Sequence, residues 1–382
     1  MGILDSLGAF GSGALTYLLP FLFVLTVVVF FHELGHFLVA RWCGVKIDAF
    51  SIGFGPEIVG FNDRHGTRWR LSWVPLGGYV KFHGDDSVAS SPDSETLAQL
   101  SEEEKRSSFH LKPVAQRSAI VAAGPIANFL LAIVIFAAIF ASVGKFVTPP
   151  RVDAITPDSA AAAAGFEVGD VVVSIDGTPI ESFSDMQRIV SVNPDVPLDF
   201  VVDRGGAPVK LVATPQLREV DDRFGNTHRI GLLGIQRSAE PDEVSQVRYS
   251  IPAAIWEGTK ETWFVIDRTV SYLVGVVVGR EAADQLGGPI RIAEMSGQVA
   301  QLGFLALLNL TAVLSISIGF LNLLPVPMLD GGHLLFYGIE AVRGRPLSER
   351  AIDIGFRVGL AFVLMLMLFA TWNDIVNIAS RS

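Results

Sequence analysis

Val24-Leu-Thr-Val-Val-Val-Phe-Phe-His32-Glu33-Leu34-Gly35-His36-Phe-Leu-Val-Ala40 places an HExxH motif inside an apolar run. On a helix, residues four apart share one face, so His32 and His36 can reach a single ion. Imidazole nitrogens hold zinc at about 2.0–2.1 Å. Glu33, one residue on, can accept the proton of a metal-activated water, so the motif predicts peptide-bond hydrolysis. Ionisable side chains in hydrocarbon are costly unless they are paired or bind metal. A helix merely leaving a membrane would explain one histidine. It would not explain two at ligand spacing with a carboxylate between them.

Working outward, the apolar character persists. Half of the 382 residues are hydrophobic, and the mean hydropathy is +0.45. These values point to a membrane protein. The formal net charge of -10 argues against a nucleic-acid partner. Cys43 is the one cysteine, which excludes an internal disulfide and any multi-cysteine metal site. Metal ligands are therefore His, Asp or Glu.

Four segments approach the roughly 20 residues that cross a bilayer core: about 14–40, 119–143, 304–324 and 358–372. Arg41, Lys46, Arg64, Arg68, Arg70, Lys81, Lys105, Arg106, Lys112 and Arg117 lie between the first two. Arg343, Arg345 and Arg350 lie between the last two, and the first thirteen residues carry no Lys or Arg. The positive-inside rule then puts both basic loops in the cytoplasm and both termini outside. With no basic n-region, the first apolar run is read as retained rather than cleaved.

Residues 1–147 form an N-terminal membrane part and 301–382 a C-terminal one. Between them, Ala164-Gly-Phe-Glu-Val-Gly-Asp170 is followed by an expected strand, Val171–Ile175, and an Asp176-Gly177 turn. Ser184-Asp-Met-Gln187 then reads as a capping box opening a short helix. That order of elements resembles a PDZ domain over about 150–237, outward-facing and able to take a peptide ligand. The stretch 248–300 reads as an interfacial amphipathic segment, because Asp267 and Arg268 interrupt the apolar residues 263–279. Residues 85–108, rich in Ser, Asp and Glu, read as a solvated linker.

A catalytic zinc takes three protein ligands and keeps one position open. His65, His83 and His110 fall in the polar cytoplasmic loop, and His228 in the outward domain. Asp330 and His333 follow the third span, in Asn322-Leu-Leu-Pro325-Val-Pro327-Met-Leu-Asp330-Gly-Gly-His333. Asp330 is favoured, because the prolines before it break the helix and can turn its carboxylate inward. The choice holds only if the third span runs inward. A true span at 263–279 would put Asp330 about 30 Å from the HExxH helix.

HELGH at 32–36, Gly124-Pro-Ile-Ala-Asn128, the PDZ-like segment and Asn322…Pro325-x-Pro327-x-x-Asp330-Gly331 together resemble the bacterial site-2 proteases, intramembrane zinc metalloproteases of the sigma-E regulator type. The resemblance implies a multi-span α-helical protein with four transmembrane helices, an inserted periplasmic PDZ domain and a membrane-associated β-hairpin. It implies one zinc ion held by His32, His36 and Asp330, with Glu33 as base, near the cytoplasmic side of the inner membrane. Expected partners are single-span membrane substrates of the anti-sigma factor type, cleaved in regulated proteolysis during envelope stress. Asn322, with Pro325 and Pro327 of its loop, is expected to help hold the substrate. Gly78, Tyr79 and Val80, in an alternating stretch that can pair with residues 50–56, offer a strand edge to an unwound substrate. The loop has room for one PDZ copy where well-known relatives carry two. A metal-ion transporter would need polar residues through several spans, and the second and fourth show almost none apart from Asn128 in the second. A non-catalytic PDZ scaffold would bind no zinc.

Overall fold

The HExxH stretch lies near the end of one continuous helix, α1 (Ile3–Trp42). It belongs to a computed structural model that describes residues 3–83, 102–221, 227–238, 245–279 and 287–381. Among the described residues, four helical stretches are long and apolar enough to cross a membrane: Leu15–Trp42, Val114–Ser142, Phe304–Asn322 and Arg350–Val376. They belong to α1, α3 (Val114–Ser142), α8 (Phe304–Asn322) and α10 (Glu349–Arg381). The shortest has 19 residues and rises about 28 Å, close to the thickness of a hydrocarbon core. The last two expected spans shift at their ends. α8 stops at Asn322, and α10 begins before the expected apolar window because Arg350, Asp353 and Arg357 wind into its first turns.

Packing gives the helices their relative directions. His36 meets Ile120 while His32 meets Asn128, so α1 and α3 are antiparallel. On α3 and α8, Ala132 and Phe136 cluster with Ala312 and Ile316, while Gly319 sits against Pro125 and Asn128. The α3 and α8 directions are therefore opposed as well. α1 and α8 consequently run the same way, with Val24 and Val28 packed on Leu307 and Leu310. α8 ends close to the level of His32, since Gly319 and His32 both meet Asn128, and α1 runs on past it. After a short loop, α9 (Asp330–Arg343) starts near that level.

Between α1 and α3 the chain makes a long ribbon, β1 (Ile47–Asn62) and β2 (Arg68–Phe82). Residues Ala49 to Ile52 have partners on both sides, Arg68 to Leu71 on one and Gly78 to Lys81 on the other. The ribbon thus folds back on itself and leaves one edge of Gly78–Phe82 outside the ladder. Arg41 at the end of α1 donates to Asp63 in the ribbon's turn (2.5 Å), and Trp69 Nε1 donates to the same carboxylate (3.2 Å). Phe37, Phe50 and Phe82 of this junction are buried with Phe109. The acidic stretch expected to be a linker lies largely outside the described residues. Its end forms α2 (Glu102–Ser107).

At the far end of α3, β3 (Lys145–Val147) pairs with β12 (Ser245–Val247), bringing together the two ends of the inserted domain. The domain opens with β4 (Ala154–Ile155) and α4 (Ala160–Ala164). Its main sheet has the order β6-β5-β7-β8, from β5 (Val171–Ile175), β6 (Thr178–Pro179), β7 (Leu198–Arg204) and β8 (Ala207–Ala213). Asp176 and Gly177, both at positive φ (48° and 75°), make the β5–β6 turn. α5 (Phe183–Ser191) closes one side. Its cap is Ser182 rather than Ser184: Ser182 Oγ accepts the Asp185 N–H at 3.1 Å. Ser182-Phe-Ser-Asp185 repeats the cap spacing two residues earlier, and Ser184 bonds Ser182 instead. β9 (Gln216–Asp221) and β10 (Thr227–Leu232) form a hairpin, and β11 (Ile235–Gln236) returns to β4. Phe166, Val172, Ile175, Met186, Phe200 and Val202 form the domain's core.

The expected interfacial stretch is two helices, α6 (Ile251–Val277) and α7 (Pro289–Gln301). Val265 and Ile266 of α6 pack on the Ala132–Phe136–Ala312–Ile316 cluster, so this part is seated against the spanning helices. Arg188 of α5 makes a two-pronged bond to Glu261 (2.6 and 2.8 Å), tying the inserted domain to α6. Buried Asp374 of α10 accepts the N–H groups of Gly288, Ile290 and Arg291 at 2.9–3.1 Å. A carboxylate is favourable at a helix N-terminus, and here it anchors α10 to α7.

Candidate metal centre

His32, His36 and Asp330 come together although the aspartate lies 294 or more positions beyond the histidines in the chain. His32 Nε2 lies 3.1 Å from Asp330 Oδ2, and His36 Nε2 lies 3.6 Å from it. The two Nε2 atoms are 3.2 Å apart. Ligand atoms around a tetrahedral zinc with bonds of about 2.0–2.1 Å stand roughly 3.3–3.4 Å apart. The triangle therefore has the edge lengths of one face of such a tetrahedron. Its side chains are 12%, 12% and 17% exposed.

The hydrogen-bond chemistry agrees with an ion. His36 Nδ1–H donates to the Ile120 carbonyl at 2.9 Å, so the neutral ring presents a lone pair on Nε2. Asp330 Oδ2 is buried and has no hydrogen-bond partner. One proton can bridge only two of these three atoms, whereas a cation touches all of them. The donor set, two imidazoles and a carboxylate, suits zinc.

Local sequence explains the close approach. Gly35 lets α1 press on α3, since a Cβ there would meet the Ala123 carbonyl and Ala127. Gly124 of α3 faces both imidazoles in the same way. The loop Leu323–Leu329 delivers Asp330. Its Met328 has φ 86° and Leu329 N–H bonds the Val326 carbonyl at 3.0 Å, which ends α8 and restarts the chain as α9. Gly331 allows a tight fold-back, since a Cβ there would strike the Leu323 and Leu324 carbonyls.

Glu33 points to the β2 edge. A Cβ on Gly78 would lie 2.9 Å from Glu33 Cγ. Gly78 thus lies against Glu33 beside the cluster, and the next residue, Tyr79, stacks on Phe54. Asn322 is the half-buried last residue of α8. Pro325 is exposed, and Pro327 backs onto Gly359 of α10. The other histidines stay apart from the cluster. His333, one turn beyond Asp330, packs on Tyr337 and Phe356. His83 bonds Asp48 at 2.9 Å, His110 packs on Phe109, and His65 sits in the ribbon's turn. The side chain of His228 lies outside the described residues. Sequence reasoning missed the roles of Ile120, Gly124 and Asn128 on α3. Asn128 is buried and its amide lies 3.3 Å from His32 Nδ1.

The model of peptidase family M50 matches residues 20–366, which include every member of this cluster. The chain belongs to peptidase family M50. A relative from Mesorhizobium japonicum that bears the name of a zinc metalloprotease, mll0638, is 52% identical over 359 residues, covering 94% of this chain and 98% of its own. Atu1380 of Agrobacterium fabrum, similarly named, is 50% identical over 368 residues, covering 96% and 98%. Metalloprotease MmpA of Caulobacter vibrioides is 43% identical over 385 residues, covering 95% and 96%. Among solved structures, a PDZ domain of an SdrC-like protein from Listeria monocytogenes aligns with 21% of this chain and 82% of its own, at 17% identity and a TM-score of 0.16. As an M50 member with four membrane-length apolar helices, the chain is a multi-pass membrane zinc metalloprotease.

Proposed function

We propose that this M50 protease cuts single-span membrane proteins within the bilayer, with His32, His36 and Asp330 holding one zinc ion and Glu33 acting as general base. The reading rests on one observation: both histidines of the ligand triangle sit within a membrane-length helix, and Asp330 meets them there from the loop after another. His32 lies ten residues before the end of α1, about 15 Å along its axis. A substrate reaching that depth does so from the membrane.

Bound zinc would polarise the scissile carbonyl and acidify water. Glu33 takes the water's proton and passes it to the leaving amine. A helical substrate hides its carbonyls, so it unwinds first. The unpaired edge at Gly78, Tyr79 and Val80 receives it as an added strand beside Glu33. Asn322, with Pro325 and Pro327 of its loop, bonds the unwound backbone from the other side. The ribbon β1–β2 dips into the membrane to present that edge. The inserted domain, with its four-stranded sheet closed by α5, is PDZ-like and binds a peptide ligand. The zinc lies toward the cytoplasm of a bacterial inner membrane, with the inserted domain and both termini periplasmic, a reading the basic loops support. The substrates are of the anti-sigma factor type, cleaved in envelope stress signalling.

The test uses purified full-length protein and a single-span reporter. Glu33→Gln retains about one zinc per chain but loses roughly 10²–10⁴-fold in cleavage rate, the usual share of a general base. Asp330→Asn loses zinc, and the wild-type cut maps inside the apolar segment. Cleavage surviving in Glu33→Gln, or a cut confined to the soluble flank, overturns the reading.

A further inference from the structure

Asn128 has no role in the proposed reaction, yet it is fully buried in the middle of a spanning helix. Its backbone carbonyl accepts Ser315 Oγ at 2.9 Å, and Gly319 approaches its Cβ so closely that an added methyl would lie 3.1 Å away. α3 is thereby fixed against α8, and the Asn128 side chain faces α1. There its Nδ2 lies 3.3 Å from His32 Nδ1. Its Oδ1 is buried without a partner.

Amide oxygen and nitrogen are interchangeable by a half-turn of the side chain, so the hydrogen-bond network decides between them. A histidine that gives its Nε2 lone pair to a metal carries its proton on Nδ1. That N–H needs an acceptor, and in the interchanged amide the Asn128 oxygen takes the position 3.3 Å away. His36 already follows this pattern, since its Nδ1–H is held by the Ile120 carbonyl. Ile120, Gly124 and Asn128 are spaced four apart on one face of α3. The first orients His36, the second leaves room for both rings, and the third is placed to orient His32.

Resting on the zinc reading above, we infer that Asn128 is a positioning residue for His32: its side-chain oxygen accepts Nδ1–H and holds Nε2 toward the ion. The proton stays on His32 throughout, so no group changes its charge.

The experiment is chelator competition for zinc on the purified full-length protein, with the cobalt-substituted absorption spectrum as a second readout. Asn128→Leu keeps the volume but loses the acceptor, and its zinc affinity falls 10–100-fold. Asn128→Asp keeps the acceptor but loses the amide N–H groups, and it binds zinc within a few-fold of wild type with an unchanged cobalt spectrum. Thermal unfolding of the metal-stripped proteins reports the fold separately. If Asn128→Leu does not fold, the aspartate variant still decides. Aspartate binding as weakly as leucine, or leucine binding like wild type, overturns the inference while leaving the zinc reading intact. Wild type without zinc affinity overturns both.

Discussion

Gly35, Gly124 and Gly331 let His32, His36 and Asp330 meet. Gly124 is the most direct case, because a Cβ there would lie 2.9 Å from His32 Cε1 and closer still to the His36 ring. The His36 ring cannot retreat without losing its bond to Ile120. We expect Gly124→Ala to lower zinc affinity by about tenfold or more, the range seen when ligand orientation is disturbed. Gly338→Ala, in α9 with nothing near its Cβ position, leaves affinity unchanged and stabilises that helix by about 1 kcal/mol. Chelator competition on both proteins checks this. A Gly124→Ala protein binding zinc like wild type would mean that α3 yields freely. At this scale the motif residues were readable, because HExxH carries its own geometry at i and i+4. Asp330 could be favoured over His333 from the prolines before it. Ile120, Gly124 and Asn128 could not be given roles, since an apolar run does not show which face of α3 meets α1.

Elements were readable where local signals are strong. The strand Val171–Ile175 and its Asp176-Gly177 turn follow from β-branched residues and turn chemistry. The helix cap was misplaced because two serines compete, and tertiary position favoured Ser182. The double pairing of Ala49–Ile52 was invisible, because alternation marks a strand but not its partners. The inserted domain also carries its own pH dependence. Burial alone would raise the Asp153 pKa, but bonds from Arg151, Arg237 and the Ser238 N–H hold it down to about 2. In the unfolded chain it returns to about 3.9. The resulting stabilisation, roughly 2 kcal/mol, is complete above pH ~4 and fades as pH falls through ~2. Asp170, which Arg204 bonds at 2.8 Å, is shifted down likewise. Hydrogen exchange of β5 and β7 amides in the full chain should show Asp153→Asn less protected than wild type at pH 6. The gap closes below pH ~2–3. A gap independent of pH would remove the carboxylate from the account.

For the whole molecule, the four spans were visible from hydropathy, but that Asp330 meets His32 depends on helix directions no single segment encodes. Those directions follow from packing: α1 and α8 run together and α3 runs against them, so the inserted domain and the His32–His36–Asp330 cluster lie toward opposite ends of the bundle. Which end faces the cytoplasm comes from charge, and it can be measured. In a Cys43→Ser background, one cysteine is placed at Arg64 in the ribbon's turn and, separately, another at Ser238 at the domain's edge; both sites are exposed. A membrane-impermeant maleimide applied to cells with a permeabilised outer membrane should label the Ser238 position at once. The Arg64 position should react only after the inner membrane is opened. The two sites test one arrangement, because α1 and α3 bracket the ribbon and cannot invert independently while His36 holds Ile120 and His32 faces Asn128. Labelling of both positions from outside would contradict the packing itself. Labelling of the Arg64 position alone would keep the bundle and its metal centre intact but turn the molecule over in the membrane, with the zinc facing the envelope.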